Sequence, residues 1–299
     1  MPFCVTIKNR AKPYRYTEVI IMAEKLTRWQ KFKRFLKRSI TPKVLLQTAY
    51  HVAFFIISIG LLVSVASFAI TKSYEEVELS FVEGFTITAH TGAFDTDENS
   101  IASVEAAIAN NVDILEIDIR QRPNGTLVMD HELVITNNDG VPLSEAFELL
   151  KDTDIRINLD IKETRVLNAL HDMLVEYGLY SRVFLTGIES KDIAAVKASS
   201  CADMEYYLNC QPSRIEIFSE DYQQKLLNQL KETGAIGVNC HYSYAGGQLC
   251  DLLHANGYKV SVWTVNEKSA MKRALNFKPD NITTKQYDLL KSVIEDWDK

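Results

Sequence analysis

Asp113-Ile114-Leu115-Glu116-Ile117-Asp118-Ile119-Arg120 and Arg156-Ile157-Asn158-Leu159-Asp160-Ile161-Lys162 are the stretches on which the fold turns. In both, polar residues alternate with isoleucine or leucine, and a period of two is that of a β-strand. Glu116 and Asp118 therefore share one strand face, as do Asp160 and Lys162, while Ile117 and Ile161 point the opposite way. Outward from these two, short apolar β-branched runs recur with segments of helical period between them, the pattern of βα units and a parallel sheet. Eight strands are expected, centred on Phe85–His90, Asp113–Arg120, Arg156–Lys162, Arg182–Ile188, Met204–Leu208, Ala235–Cys240, Lys259–Val265 and Asp280–Thr283. Helical stretches follow them at Ser100–Asn110, Leu143–Lys151, Thr164–Tyr177, Lys191–Ser199, Asp221–Thr233, Ala245–Ala255, Glu267–Leu275 and Tyr287–Trp297. Eight strand-then-helix repeats predict an α/β fold closed into a TIM-type (β/α)8 barrel. A doubly wound open sheet is the alternative, but neither GxGxxG nor GxxxxGK[ST] occurs.

Between Arg120 and Leu143 an insertion carries Pro123, Asn124 and Gly125, then a short strand Thr126–Met129 ending at Asp130-His131-Glu132. It predicts a hairpin-like loop on the C-terminal face, where barrel enzymes build their active sites. If the polar strand faces turn inward, Glu116, Asp118 and Asp160 converge near that mouth. Three carboxylates without a soft ligand suit a hard divalent cation, Mg²⁺ or Ca²⁺. The bland alternative pairs each carboxylate with Lys162 or Arg120. His90 and His131 fall where two loops project over the mouth, and imidazole is suited to exchanging protons near neutral pH. His51, His171, His241 and His254 are read as structural.

His90-Thr91-Gly92, Glu98-Asn99-Ser100, Glu116-Ile117-Asp118 and His131 together resemble the HRG, ENT, ExD and HD signature of the glycerophosphodiester phosphodiesterases. The likeness continues through Asn158-Leu159-Asp160-Ile161-Lys162 and Val262-Trp263-Thr264-Val265-Asn266 and covers roughly Thr86 to Leu290. It implies that His90 and His131 are the general acid and base, and that Glu116, Asp118 and Asp160 hold one divalent cation. It also implies substrate contacts from Lys162, Trp263, Thr91 and Glu98, with Lys162 on the phosphate. The implied reaction is hydrolysis of a glycerophosphodiester or lysophospholipid, in which a glycerol hydroxyl attacks phosphorus and water opens the resulting cyclic phosphate. This chain departs from the pattern at Thr91, where the family has arginine, at Asp160 in place of glutamate, and at Glu132 in place of aspartate. A non-catalytic binding module of the same fold, or a related phospholipase-type lyase that stops at the cyclic phosphate, are the competing readings.

The net charge of −6 hides an asymmetry: Met1–Lys43 is rich in Lys and Arg with only Glu18 and Glu24 against them, whereas the remainder is acidic. Val44–Thr71 contains no charged residue, and roughly 20 apolar residues suffice to span a bilayer as a helix. A buried helix seldom stays uncharged so long, and a polar leader of this length exceeds that of a cleaved signal peptide. The expectation is an uncleaved anchor with Arg28, Lys31, Lys33, Arg34, Lys37, Arg38 and Lys43 cytoplasmic and the C-terminal domain outside. The domain plan is thus a basic cytoplasmic segment 1–43, a transmembrane helix 44–71, a linker 72–84 and a barrel 85–299. Beside a bilayer the basic stretch is accounted for by anionic lipid, so no nucleic-acid partner is expected. Cys201, Cys210, Cys240 and Cys250 fall in the external domain, an even number that permits disulfides.

Overall fold

The computed structural model describes residues 29–33, 41–75 and 78–297. Most of the basic segment 1–43, with Cys4, lies outside the described residues. The chain divides between Phe68 and Ala69 into two units.

The first unit contributes most of α1 (Pro42–Glu75), within which Pro42–Ala69 forms a 28-residue apolar span of mean hydropathy 2.5. None of that window is buried. Phe54, Phe55, Leu61 and Leu62 stand exposed along it, which is not the environment of a core helix. Among the described residues it is the one helix long and apolar enough to cross a membrane.

Among the described residues the second unit holds ten strands: β1 (Thr86–Ala89), β2 (Ile114–Gln121), β3 (Leu127–Met129), β4 (Val141–Pro142), β5 (Arg156–Ile161), β6 (Val183–Ile188), β7 (Tyr206–Asn209), β8 (Gly237–His241), β9 (Lys259–Trp263) and β10 (Asn281–Thr284). Eight of them pair in parallel in the order β1-β10-β9-β8-β7-β6-β5-β2, and a β1–β2 pairing closes the ring. All eight expected strands are present, and so are the helices after them: α2 (Ile101–Ala109), α3 (Leu143–Leu150), α4 (Leu167–Glu176), α5 (Ile193–Ala198), α6 (Glu220–Thr233), α7 (Gly247–Ala255), α8 (Lys268–Asn276) and α9 (Tyr287–Glu295). The insertion is a hairpin, with β3 antiparallel to the protruding end of β2 and β4 antiparallel to β3.

Strand alternation explains where the core sits. Ile117, Ile119, Ile157, Leu159 and Leu185 face outward and are buried beneath helical residues such as Phe147, Leu170 and Leu174 in one continuous cluster. Complete burial of each such side chain stabilises the fold by about 1.5–3 kcal/mol. The other strand face lines the barrel. At the N-terminal end of the strands Ile114, Phe184 and Tyr207 form a separate apolar plug. Polar side chains lie above it: Asn158, Thr186, Asn239, Ser261, Asn281 and Thr283, all buried. They satisfy one another, as Thr88 Oγ1 does by donating to Asn281 Oδ1 at 2.8 Å and Asn281 Nδ2 by donating to Ser261 Oγ at 3.0 Å. A polar upper interior above an apolar floor leaves room for a site at the C-terminal ends of the strands.

Candidate active site

Register places the acidic residues together. In the parallel pairing of β2 with β5, Asp118 stands opposite Asp160 and Glu116 opposite Asn158. Carboxylate oxygens of Glu116, Asp118 and Asp160 all lie within 4.8 Å of one another. They line a pocket of about 350 Å³ at the barrel mouth together with His90, His131, Lys162 and Trp263. Seven residues singled out in the sequence therefore meet in one cavity.

Lys162 bridges two of the carboxylates, its Nζ lying 2.8 Å from Asp118 Oδ1 and 2.5 Å from Asp160 Oδ2. Burial works to lower its pKa, but Asp160 and Asp118 outweigh burial and hold the ammonium above its ordinary value. Asp118 shows the reciprocal balance: burial pushes it up, while Lys162 and the Asn99 amide bring it below the usual carboxylate value. Glu116 has no such compensation. Burial, then the charges of Asp160 and Asp118, push it well above the usual range, and its Oε2 is buried without a hydrogen-bond partner. The pairing of carboxylates with Lys162 thus accounts for two of the three. Arg120 is not a partner, because its guanidinium donates to the His131 carbonyl.

An orphaned buried carboxylate oxygen beside two other carboxylates fits a divalent cation with oxygen ligands. Gly187 belongs to the same construction. Its φ is +75°, and an added Cβ would stand 2.6 Å from Asp160 Oδ1 and 2.4 Å from the Ile161 carbonyl oxygen. Only glycine fits so close an approach at that backbone angle. Thr186 Oγ1 donates to Asp160 Oδ1 at 3.0 Å and orients the carboxylate from the side.

The two histidines differ. His90 Nδ1 lies 2.7 Å from the Thr91 carbonyl oxygen, which requires the proton on Nδ1 and leaves the Nε2 lone pair free, 3.9 Å from Glu116 Oε2. Burial lowers the His90 pKa, a shift that the Thr91 carbonyl and Asp118 only partly oppose. His131, on the hairpin loop, has a 59% exposed side chain with Nδ1 3.1 Å from Glu132 Oε1. Trp263 lines the opposite wall and packs edge-on against His241 at 5.6 Å.

Two expected substrate contacts lie elsewhere. Thr91 is buried, with its hydroxyl accepting from the Asn99 N–H, and Glu98 pairs with Lys285; neither lines the pocket. Conversely, the pocket includes Asn158, Thr186's neighbour Gly187, Glu189, Lys191, Asn209 and Asn239, to which the sequence reading gave no role. Asn158 was within reach, since it lies two residues before Asp160 on the same strand face. His241, read as structural, bonds to Ser243 Oγ at 2.7 Å outside the lining, and His254 meets Asp280 at 2.9 Å. Cys201, Cys210, Cys240 and Cys250 are free thiols.

Fold and site together define a (β/α)8 barrel with a carboxylate-rich centre at its C-terminal mouth. Among known proteins, a glycerophosphodiester phosphodiesterase of Caldanaerobacter subterraneus subsp. tengcongensis is 23% identical over 245 residues, covering 70% of this chain and 97% of that protein. Similar solved structures include a phosphodiesterase of Oleispira antarctica in complex with the product sn-glycerol-3-phosphate (19% identity, TM-score 0.56, covering 75% of this chain and 99% of that one). A glycerophosphodiester phosphodiesterase of Thermotoga maritima matches likewise (16% identity, TM-score 0.54, covering 71% and 99%). No family model matches the chain. In sequence the chain thus resembles, at low identity, a glycerophosphodiester phosphodiesterase, and it shares the barrel fold of such enzymes.

Proposed function

We propose that this chain hydrolyses glycerophosphodiesters or lysophospholipids to an alcohol and glycerol phosphate or a lysophosphatidic acid. The observation that carries the reading is the convergence of Glu116, Asp118 and Asp160 with Lys162, His90 and His131 on one pocket. Glu116, Asp118 and Asp160 would hold one divalent cation, Mg²⁺ or Ca²⁺, which when bound supplies positive charge to the phosphoryl oxygens. Lys162, kept charged by its two carboxylate partners, offers a further cation to the phosphate. His90 serves as base, because its Nε2 is unprotonated and faces the pocket: it takes the proton of the glycerol hydroxyl as that oxygen bonds to phosphorus. His131, at the exposed rim, returns a proton to the departing alcohol oxygen, and water then opens the cyclic phosphate. Trp263 walls the substrate side.

The decisive assay is release of sn-glycerol 3-phosphate from glycerophosphocholine with added Mg²⁺ or Ca²⁺. Failure to turn over any diester by a folded chain would leave a binding module of the same fold. A cyclic phosphate as the end product would make it a lyase.

The chain further reads as a single-pass membrane protein with segment 1–43 cytoplasmic, helix 44–71 in the bilayer, linker 72–84, and catalytic barrel 85–299 outside. The support is the exposed apolar window of α1 and the basic residues that precede it. Protease protection of the barrel in spheroplasts, where the outward orientation exposes it, would refute the topology.

A further inference from the structure

Asn99 is the residue around which the acidic centre is braced. Its carboxamide makes two bonds to one neighbour: Nδ2 donates to Asp118 Oδ2 at 2.7 Å, and Oδ1 accepts from the Asp118 backbone N–H at 3.2 Å. The pair of contacts fixes the amide's orientation, since a flipped amide would set donor against donor and acceptor against acceptor. With Oδ2 so engaged, Asp118 presents Oδ1 to Lys162 and to the cluster with Glu116 and Asp160.

Asn99 is itself held. Its φ is +52°, a left-handed conformation that asparagine accepts more readily than most residues. Its backbone N–H donates to Thr91 Oγ1, and the neighbouring Gly92 N–H donates to Ser103 Oγ at 3.0 Å, so the loop after β1 and the start of α2 are tied at two points. Thr91 and Asn99 are buried, 2% and 8% exposed, which removes competing water from both bonds.

We propose that Asn99 is a positioning residue that sets the cation affinity of the centre through Asp118, and that Thr91 acts through Asn99. This rests on the reading of Glu116, Asp118 and Asp160 as a cation site and assigns the supporting shell that reading lacks. Removing a residue that orients a metal ligand commonly weakens metal binding by about 10- to 100-fold.

The test is calorimetric titration of Mg²⁺, and separately Ca²⁺, into the full chain in detergent micelles. Asn99→Ala should weaken cation binding by about 10- to 100-fold. At saturating cation its KM for glycerophosphocholine should stay near that of the parent chain, while the cation concentration giving half-maximal rate rises. Thr91→Val, which removes the acceptor, should move affinity in the same direction, and Thr91→Ser, which keeps it, should restore the loss. Cation affinity unchanged in Asn99→Ala, or equal affinities for Thr91→Val and Thr91→Ser, would overturn the proposal. The Thr91 pair keeps the test decisive if Asn99→Ala does not fold. A parent chain that binds neither cation would instead remove the cation reading beneath it.

Discussion

Replacing Glu116 by glutamine tests the acidic centre with two effects of opposite sign. In the cation-free chain the Glu116 carboxyl is buried, lies beside Asp118 and Asp160, and leaves Oε2 without a partner. An unsatisfied buried polar group costs about 1–3 kcal/mol, and more when charged. Glutamine has nearly the same shape, carries no charge, and brings N–H donors to neighbouring carboxylates. Cation-free Glu116→Gln should therefore be more stable than the parent chain by roughly 1–3 kcal/mol. For a domain of this size each kcal/mol moves Tm by about 2–4 °C. Cation at about 1,000 times its Kd would stabilise the parent by about 4.1 kcal/mol, or very roughly 8–16 °C, and the variant by little. The stability order inverts on adding cation. The pH dependence has a definite sign as well. The folded pKa of Glu116 is raised above 4.5, so the folded state takes the proton first. Stability of the cation-free parent relative to the variant should rise as pH falls through the folded pKa, be complete below 4.5, and be lost again as pH rises. Thermal unfolding of both full-length chains by near-ultraviolet circular dichroism, with and without Mg²⁺ or Ca²⁺, reads all of this. A variant less stable than the parent without cation, or still stabilised by cation, refutes the reasoning.

Other consequences are simpler to read. Because burial holds His90 below its ordinary pKa, it stays neutral into more acidic solution, so the acid limb of kcat/KM should fall below pH 6.5. His90→Gln should lower kcat by about 10²- to 10⁴-fold, and an acid limb above pH 6.5 would exclude His90 as the base. Gly187→Ala should destabilise the barrel by about 1–3 kcal/mol and abolish calorimetric cation binding, because the new Cβ presses on Asp160. Gly125→Ala is the control, with φ at +94° but open space around it, and should bind cation as the parent does. Burial raises the thiols of Cys201 to about 11, of Cys210 and Cys250 to about 12, and that of Cys240 likewise well above its ordinary value. Iodoacetamide at pH 8 should therefore label all four barrel cysteines only after unfolding, and a disulfide among them in a non-reducing peptide map would contradict their free state.

How much of this was legible along the chain depends on the range over which each feature is encoded. Strand faces are local: the i, i+2 spacing in Glu116-Ile117-Asp118 and Asp160-Ile161-Lys162 states which side chains share a side, and the eight strands follow from short apolar β-branched runs between helical segments. Whether the two faces meet is not local, since it depends on the register that sets Asp118 against Asp160 and on closure between β1 and β2. A one-residue slip would turn one acidic pair out of the barrel while leaving every local pattern intact. Loop geometry is still less legible. Glu98-Asn99-Ser100 shows a helix start, with Ser100 Oγ accepting from the Ser103 N–H, but nothing in its spelling shows that Asn99 reaches across 19 residues to Asp118. The clearest case is Thr91. Along the chain it stands where the resembled family has arginine, and the expectation is a substrate contact. Across the fold its hydroxyl points away from the pocket and receives the Asn99 N–H, a short-range acceptor role that a long guanidinium, which has donors alone, could not fill. At that position the chain therefore presents an acceptor to the Asn99 backbone inside the fold, and no side chain to the pocket.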